Sequence, residues 1–569
     1  MADQASPRRN GPSRLLVGSF VLIGLLLAAG LGLPTYVRWK VRQKLPQGVS
    51  AGVIELHLSG VTLRKVQIDR AWIRGSLDEV WVSRDQQTVA AKGGSLDINL
   101  DKRPKEGSGS PEKRAVTATG LRVVLVRGEA SADLLGGSWD GSRACFEEGV
   151  FSHPKGKALV TGGCYDRPSG LATARTAKTH LDKLPAIPGL VLTEMDVLVA
   201  DIEVRGTEKQ LDVRAARFKA GPLSGEGLQL TVDDLGTNLK AQSLTVEHPW
   251  LSTGPTTFRQ AHLALGVEPW AKGLPSGWAY INLSGDKKVG AKFDLAAQTV
   301  EGKAPCQDWL EAMPETLRVG PLRTLVFTGD LSFSVAMKPK PKLLLDARCK
   351  ATCTLFPKLR EKFTHTAYKA DGTTFERTTG PGTVDWLSVG LMGKVPMAVI
   401  NLEDPGYPYH RGYISEAFHN SLIDNVAKGK FARGGSTITQ QTAKNLWLRR
   451  EKTIGRKVAE LFLAQAMESC MSKDEIIEVY LNIIEFGPDV YGLGPGSKHW
   501  FKKYPEALDP TEAFWLASIL PAPRKTAGPT AAALKGTERL MESLAKQGKI
   551  PNLTGDVSDI DMTGWEQTP

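Results

Sequence analysis

The hydrophobic period of this chain changes once along its length, and that change limits the folds open to it. From about Ser50 to Asp385 apolar and polar residues alternate, as in "GVIELHLSGVTLRKVQIDRAWI", "GLVLTEMDVLVADIEVRG" and "GLQLTVDDLGTNLKAQSLTVEH", with Gly-rich turns between them. Successive strand side chains point to opposite faces, so the pattern predicts a large antiparallel, half-buried sheet over residues 50–380. Recurring Gly-apolar-x-Leu openings are too unevenly spaced to define a repeat. "DKRPKEGSGSPEKR", residues 101–114, reads as a loose charged loop. After "TTFERTTGPGTVDW" the alternation stops and helical spacing takes over, which predicts a multidomain chain with a mainly α-helical C-terminal part.

Ahead of the alternating region lies "LLVGSFVLIGLLLAAGLGLPTYV", residues 15–37, uncharged and long enough to cross a bilayer. The run is longer than the apolar core of a cleaved leader and no small-x-small site follows, so it predicts a transmembrane helix behind a tail of residues 1–14. Arg8, Arg9 and Arg14 precede it while Arg38, Lys40, Arg42 and Lys44 follow, which leaves the flanking charge too balanced to orient it. The chain of 569 residues exceeds one ordinary domain, and 41% apolar with 23% charged residues exclude wholesale disorder. A net charge of +11 suits an anionic partner, whether nucleic acid, acidic lipid or a phosphate-bearing substrate, and does not choose among them.

Six cysteines are spread along the chain. If the bulk of the protein lies outside the cytoplasm, Cys145 with Cys164 and Cys349 with Cys353 are the disulfides the sequence suggests, although spacing does not fix connectivity. Cys349, Cys353 and His365 also have part of a zinc-finger spacing, but no second histidine follows at finger distance.

Beyond residue 380, "GYISEAFHNSLIDNVAKG" is amphipathic and "TIGRKVAELFLAQAMESCM" carries a long apolar face. "SKDEIIEVYLNII" opens with Ser472 and Glu475 at capping-box spacing, and "DPTEAFWLASILPAP" is a helix that Pro521 stops. Residues 547–569 are polar and read as a loosely ordered tail.

Candidate chemistry is confined to this helical part. "INLEDPGYPYHRG" sets Glu403 beside Asp404 at a Pro-Gly turn ahead of His410, which in isolation is an acidic surface turn. In "RGGSTITQQTAKNLWL", Ser436 is placed to cap a helix on which Thr437, Gln441, Lys444 and Asn445 fall on or beside one face. Solvated faces usually carry Glu and Lys pairs, whereas hydroxyl, amide and ammonium together suit sugar and phosphate oxygens. In "RKVAE", Arg456 and Glu460 stand one turn apart with Lys457 alongside, which alone is an ordinary ion pair of about 0.3–0.5 kcal/mol.

Together these stretches resemble family 51 of the glycosyltransferases, the peptidoglycan glycosyltransferases of bacterial cell-wall synthesis. Glu403, Asp404, His410 and Gly412 match the family's Glu-Asp-x-x-Phe-x-x-His-x-Gly motif, with Tyr407 where the family has phenylalanine. "GGSTITQQTAKN", "RKVAE" and "KDEIIEVYLNIIEFG" match its second, third and fourth motifs in order. "EFGPDVYGLGPGS" and "EAFWLASILPAP" look most like the monofunctional members, and the resemblance covers about residues 385–530.

The resemblance implies a lysozyme-like domain over residues 385–530 that joins lipid II to a growing glycan strand with inversion. Glu403 would be the catalytic base, and Glu460 would orient the cations or assist at the donor side. Lys444, Arg456 and Lys457 would neutralise the pyrophosphate leaving group, while Asp404, Tyr407, His410, Ser436, Thr437, Gln441 and Asn445 would bind or position substrate. A divalent cation, Mg or Mn, is compatible with this chemistry, with Asp404 near enough in sequence to contribute, although the sequence itself shows no metal site. The substrate would make the protein a single-pass inner-membrane enzyme with a cytoplasmic tail, its β-rich and catalytic parts in the periplasm, and no nucleic acid as partner. Ser284 to Lys287 and Ser543 to Lys546 match a transpeptidase pattern too short to carry weight, so cross-linking is expected from a separate transpeptidase or cell-wall machinery. The β-rich region faintly resembles AsmA-like proteins, whose long β-structures are linked to lipid traffic; a spacer or docking module is the other reading. Two rival functions are an envelope scaffold with a silent glycosyltransferase module and a lysozyme-like lytic enzyme.

Overall fold

The computed structural model describes residues 45–548 except 86, 103–114, 155, 183–193, 208, 235, 250, 266–275, 284–285, 339–341, 357–358, 418 and 421–434, together with 38, 42 and 43. The expected membrane span at 15–37, most of the 101–114 loop and nearly all of the C-terminal tail lie outside these residues. Among the described residues no helix is long and apolar enough to cross a membrane. The chain divides into two compact units, Met1–Thr245 with Arg259–Gly273, and Val246–Phe258 with Leu274–Pro569.

The first unit is built from long strands, as the alternation requires. β1 (Val49–His57), β2 (Gly60–Arg70), β3 (Ile73–Ser83) and β4 (Thr88–Asn99) pair in sequence as an antiparallel meander. The run from β5 (Ala115–Arg127) to β12 (Leu223–Asp233) is antiparallel throughout. One pair departs from the expected pattern, because β4 and β5 run parallel with Thr88 opposite Ala115. A parallel pair needs a connection of about a dozen residues or more, and the stretch between Asn99 and Ala115 supplies that length. The apolar core is concentrated in β1 to β5, where Ile54, Leu63, Val66, Leu77, Val80, Val89 and Leu96 are buried together. Cys145 on β7 (Arg143–His153) stands directly opposite Cys164 on β8 (Gly156–Asp166), and the two form the expected disulfide.

β13 (Gly236–Val246) and β14 (Thr256–Leu265) follow in the chain. In the second unit β15 (Ser276–Asn282), β16 (Lys288–Asp294), β17 (Thr299–Pro305), β19 (Asp330–Ala336) and β20 (Lys342–Ala347) form an antiparallel sheet. α1 (Cys306–Ala312) and the short pair β18 (Phe327–Thr328) with β21 (Lys350–Ala351) attach to it, and the hairpin β22 (Phe363–Tyr368) with β23 (Thr374–Thr379) leads into the helices. These are α2 (Val395–Glu403), α3 (Ile438–Trp447), α4 (Ile454–Cys470) and α5 (Lys473–Ile483). After the small ribbon β24 (Glu485–Gly487) with β25 (Val490–Tyr491) come α6 (Leu493–Phe501), α7 (Pro510–Ser518) and α8 (Ala531–Lys546). Ser472 and Glu475 make the capping box expected for α5, and Asp509 with Glu512 makes another at α7.

The change of period near residue 380 therefore marks a change of secondary structure, whereas the compact units divide elsewhere. The reason is packing: Phe327, Leu331 and Ala347 share one core with Phe462, Tyr480 and Phe514 of the helices. Phe327 meets Phe462 edge-on at 5.4 Å between centroids.

The pairing of Cys349 with Cys353 is corrected. Cys349 is buried against Cys306 and bonds to it, while Cys353 faces outward to the end of α4 and bonds to Cys470. The chain turns between Cys349 and Cys353, so their sulfurs point to different neighbours and neither thiol is left for zinc. The Cys353–Cys470 bridge spans 117 residues and ties β21 to the last turn of α4, where Ala351 N also donates to Ser469 Oγ at 3.2 Å. Replacing both cysteines with serine should lower the unfolding free energy of the oxidised protein by roughly 2–5 kcal/mol, read by urea titration.

Candidate functional site

Pro396 in its first turn and the buried Val395, Ala398 and Val399 make α2 a core helix, and Pro405 with Gly406 follow its end. Glu403 is thus the last helical residue, where a negative charge opposes the helix dipole and needs a donor. The donor comes from α3: Gln441 Nε2 lies 2.9 Å from Glu403 Oε2. At its other end Gln441 Oε1 accepts from the Tyr480 hydroxyl of α5 at 3.0 Å.

Asp404 turns the other way and is 2% exposed. Its Oδ2 accepts from the backbone N–H of Ile438 at 2.9 Å and from His410 Nε2 at 2.8 Å. His410 Nδ1 accepts from Gly412 N, so its proton is on Nε2. The loop is closed by Lys473, whose Nζ donates to His410 O at 2.8 Å and lies 4.5 Å above the Tyr407 ring. Tyr407 is fully buried and donates its hydroxyl to Lys473 O at 2.7 Å, which accounts for the hydroxyl added to the ring position. Through these contacts Asp404, Tyr407 and His410 pin the loop to α3 and α5.

The cap of α3 is Thr437, not Ser436. Thr437 Oγ1 accepts from Gln440 N and donates to Gly412 O at 2.7 Å, while Gln440 Oε1 accepts from Thr437 N. Its hydroxyl is therefore engaged in holding the helix start. Ser436 instead accepts from Lys457 Nζ at 2.7 Å, which makes it a neighbour of the cations.

Thr453 caps α4, whose first turn then carries Arg456 and Lys457 toward Glu460. Arg456 Nη1 donates to Glu460 Oε1, and Lys457 Nζ donates to Glu460 Oε2 at 2.9 Å. Glu460 is 1% exposed, and its two oxygens are engaged by Arg456 and Lys457. Burial, then the charge of Arg456, then those of Arg450 and Lys444 respectively, draw Lys444 down to about 8 and Lys457 down to about 7. Arg456 is held below its ordinary value by burial as well. One carboxylate thus faces a group of cations that outnumber it, and the surplus positive charge is set in a partly dry site. The charge of Glu403 acts on Lys444 in the opposite direction. Asn445 follows it on α3, half-buried.

The structure thus brings Glu403, Gln441, Lys444, Ser436, Arg456, Lys457 and Glu460 into one neighbourhood. Sequence reading assigned no role to Tyr480 or Lys473, although both lie in the fourth motif. The signal for Tyr480 was a phenol on an otherwise apolar helix face, since a buried hydroxyl needs a partner.

Residues 384–545 match the family model described as Transglycosylase. The "Biosynthetic peptidoglycan transglycosylase" of Nitrosomonas eutropha is 42% identical over 127 residues, which is 22% of this chain and 52% of that protein. The protein of the same name from Pasteurella multocida is 40% identical over 155 residues, 27% of this chain and 63% of that one. A third, from Shewanella denitrificans, is 41% identical over 145 residues, 25% and 63% respectively. The chain spans between half and two thirds of the length of these relatives. Its helical part is a peptidoglycan transglycosylase domain, and no transpeptidase family was found.

Because burial and like charge draw Lys444 and Lys457 below the ordinary lysine value, an anion bound among them raises both and draws in protons. A prenyl pyrophosphate added at about pH 8.5 should be bound with uptake of about one to two protons, measured by calorimetry in buffers of different ionisation enthalpy. Lys457→Met should remove a large part of that uptake, and affinity for the wild type should fall as pH rises from about 7 to 9.

Proposed function

We propose that the domain polymerises lipid II into β-1,4-linked glycan strands with inversion at the anomeric carbon. One observation carries this reading: Glu403, held by Gln441 and acting on Lys444, shares its neighbourhood with Arg456 and Lys457, which pair with the buried Glu460. Glu403 takes the proton of the acceptor 4-hydroxyl as that oxygen attacks the donor sugar in a single displacement. The pyrophosphate leaves without a strong acid, because Lys444, Arg456 and Lys457 neutralise its growing charge in a medium of low dielectric. Glu460 keeps Arg456 and Lys457 aimed at it, and Ser436 holds the Lys457 ammonium from the α3 side. Asn445 is assigned to sugar or phosphate oxygens.

Neutralisation is assigned to these side chains and not to Mg or Mn. Asp404 Oδ2 takes two hydrogen bonds inside the protein while its Oδ1 is buried without a partner, and both oxygens of Glu460 are paired with cations. Among the described residues no group of three or more His, Cys, Asp and Glu is placed to hold a metal ion. The donor set at the pyrophosphate is thus cationic, which does not fit a resident divalent ion.

With lipid II as substrate, the apolar segment at 15–37 serves as a single inner-membrane anchor. The domain then works in the periplasm beside a separate transpeptidase. Purified protein given lipid II should yield polymeric glycan, and Glu403→Gln should reduce turnover by about 10²-fold or more, followed by gel separation of the products. Glycan formed equally by wild type and variant would remove Glu403 from its role. Clearing of isolated sacculi in a zymogram would instead favour a lytic enzyme.

A further inference from the structure

We propose that Tyr480 sets the orientation of the Gln441 amide and, through it, the position of the Glu403 carboxylate. This rests on the reading of Glu403 as the base and goes beyond it, since neither sugar nor pyrophosphate chemistry calls for a phenol here. Tyr480 is 1% exposed on the inward side of α5, among the buried Ile476, Ile477 and Ile483. Burial, with the nearby charges of Glu403 and Asp404, holds the phenol well above its ordinary value, so it keeps its proton and acts as a neutral donor. A hydroxyl enclosed this deeply must donate to a protein acceptor. Its acceptor is Gln441 Oε1 at 3.0 Å.

An amide presents an oxygen and an NH2 group of nearly the same shape, so hydrogen bonds alone decide which end faces which neighbour. With its oxygen committed to Tyr480, Gln441 turns its NH2 group to Glu403, where Nε2 stands 2.9 Å from Oε2. Without the phenol that oxygen loses its donor, and Lys444, one helical turn further along α3, becomes a competing one. The amide would then be drawn off Glu403 and leave the carboxylate at the end of α2 free to swing.

The phenol is itself a fixed post. Two residues before it, Glu478 accepts from Trp386 Nε1 and Val389 N, each at 2.9 Å. Two residues after it, Asn482 Oδ1 accepts from Leu387 N at 2.9 Å and its Nδ2 donates to Leu387 O at 2.7 Å. The segment ahead of α2 thus grips α5 on both sides of Tyr480 and sets how far the hydroxyl reaches. Tyr480 is a positioning residue, because its hydroxyl contacts Gln441 and is closed off from solvent.

The test compares wild type, Tyr480→Phe, Gln441→Leu and the double variant in lipid II polymerisation, with thermal melting of each. Tyr480→Phe should lower kcat by about tenfold or more, a share of the 10²–10⁴ that a positioned base supplies. Its KM should stay within about twofold, and in the Gln441→Leu background the same change should add less than about twofold. Turnover like the wild type, or an equal loss with and without Gln441, overturns the proposal. A crystal structure of Tyr480→Phe gives a readout independent of turnover: the Gln441 side chain should be found turned away from Glu403, and an unmoved amide overturns the proposal. An inactive wild type would count against the polymerase reading alone, because the position of the amide is read separately.

Discussion

The buried carboxylate of Asp404 is the tie on which the catalytic region depends. A carboxylate enclosed to this degree needs donors from the protein, and here a backbone N–H and an imidazole both meet Oδ2 while Oδ1 is buried without a partner. The N–H belongs to the first residue of α3 and the imidazole to the loop after α2, so the requirement forces loop and helix together. Lys473 and Tyr407 then fasten the same loop to the start of α5. Glu403 adjoins Asp404 in the chain, so its place relative to α3 and α5 is fixed by a neighbour that itself faces inward.

Opposite that tie the protein holds charge it does not balance. Arg456 and Lys457 are half-buried with Glu460 as their close acidic partner, Lys444 lies near Glu403, and burial with like charge lowers the basicity of both lysines. Such a group is a poor way to stabilise a fold, since like charges brought together out of water oppose it. In the reaction proposed above, the pyrophosphate supplies the opposing charge. A site of this kind draws its strength from desolvation that the rest of the core must offset.

That core is shared between sheet and helices in the second unit. Leu331 and Ala347 of the sheet pack with Phe462 of α4, and the Cys306–Cys349 and Cys353–Cys470 bridges secure the strands that lie on that helix. Gln465 joins the same parts, accepting from Cys349 N at 3.1 Å and donating to Arg411 O. The strands from residue 274 onward are therefore structural members of the catalytic unit.

Much of this was open to a reader of the sequence, because the governing signals are local. Alternation fixes which faces a strand can bury, Ser472 with Glu475 announces a helix start, and the order of four motifs identifies the domain. Local spacing offered Thr437 as the cap of α3, since it stands with Gln440 at capping-box spacing, but could not bring Gly412 O to its hydroxyl. Nor could it pair Cys349 with Cys306, put β4 parallel to β5, or give Tyr480 its acceptor. The sequence by itself determined the element types, the domain family and the set of chemical groups available. Tertiary structure alone decided which of those groups are sealed into the framework and which face an open site, because burial and long-range hydrogen bonding depend on residues that spacing along the chain does not bring together.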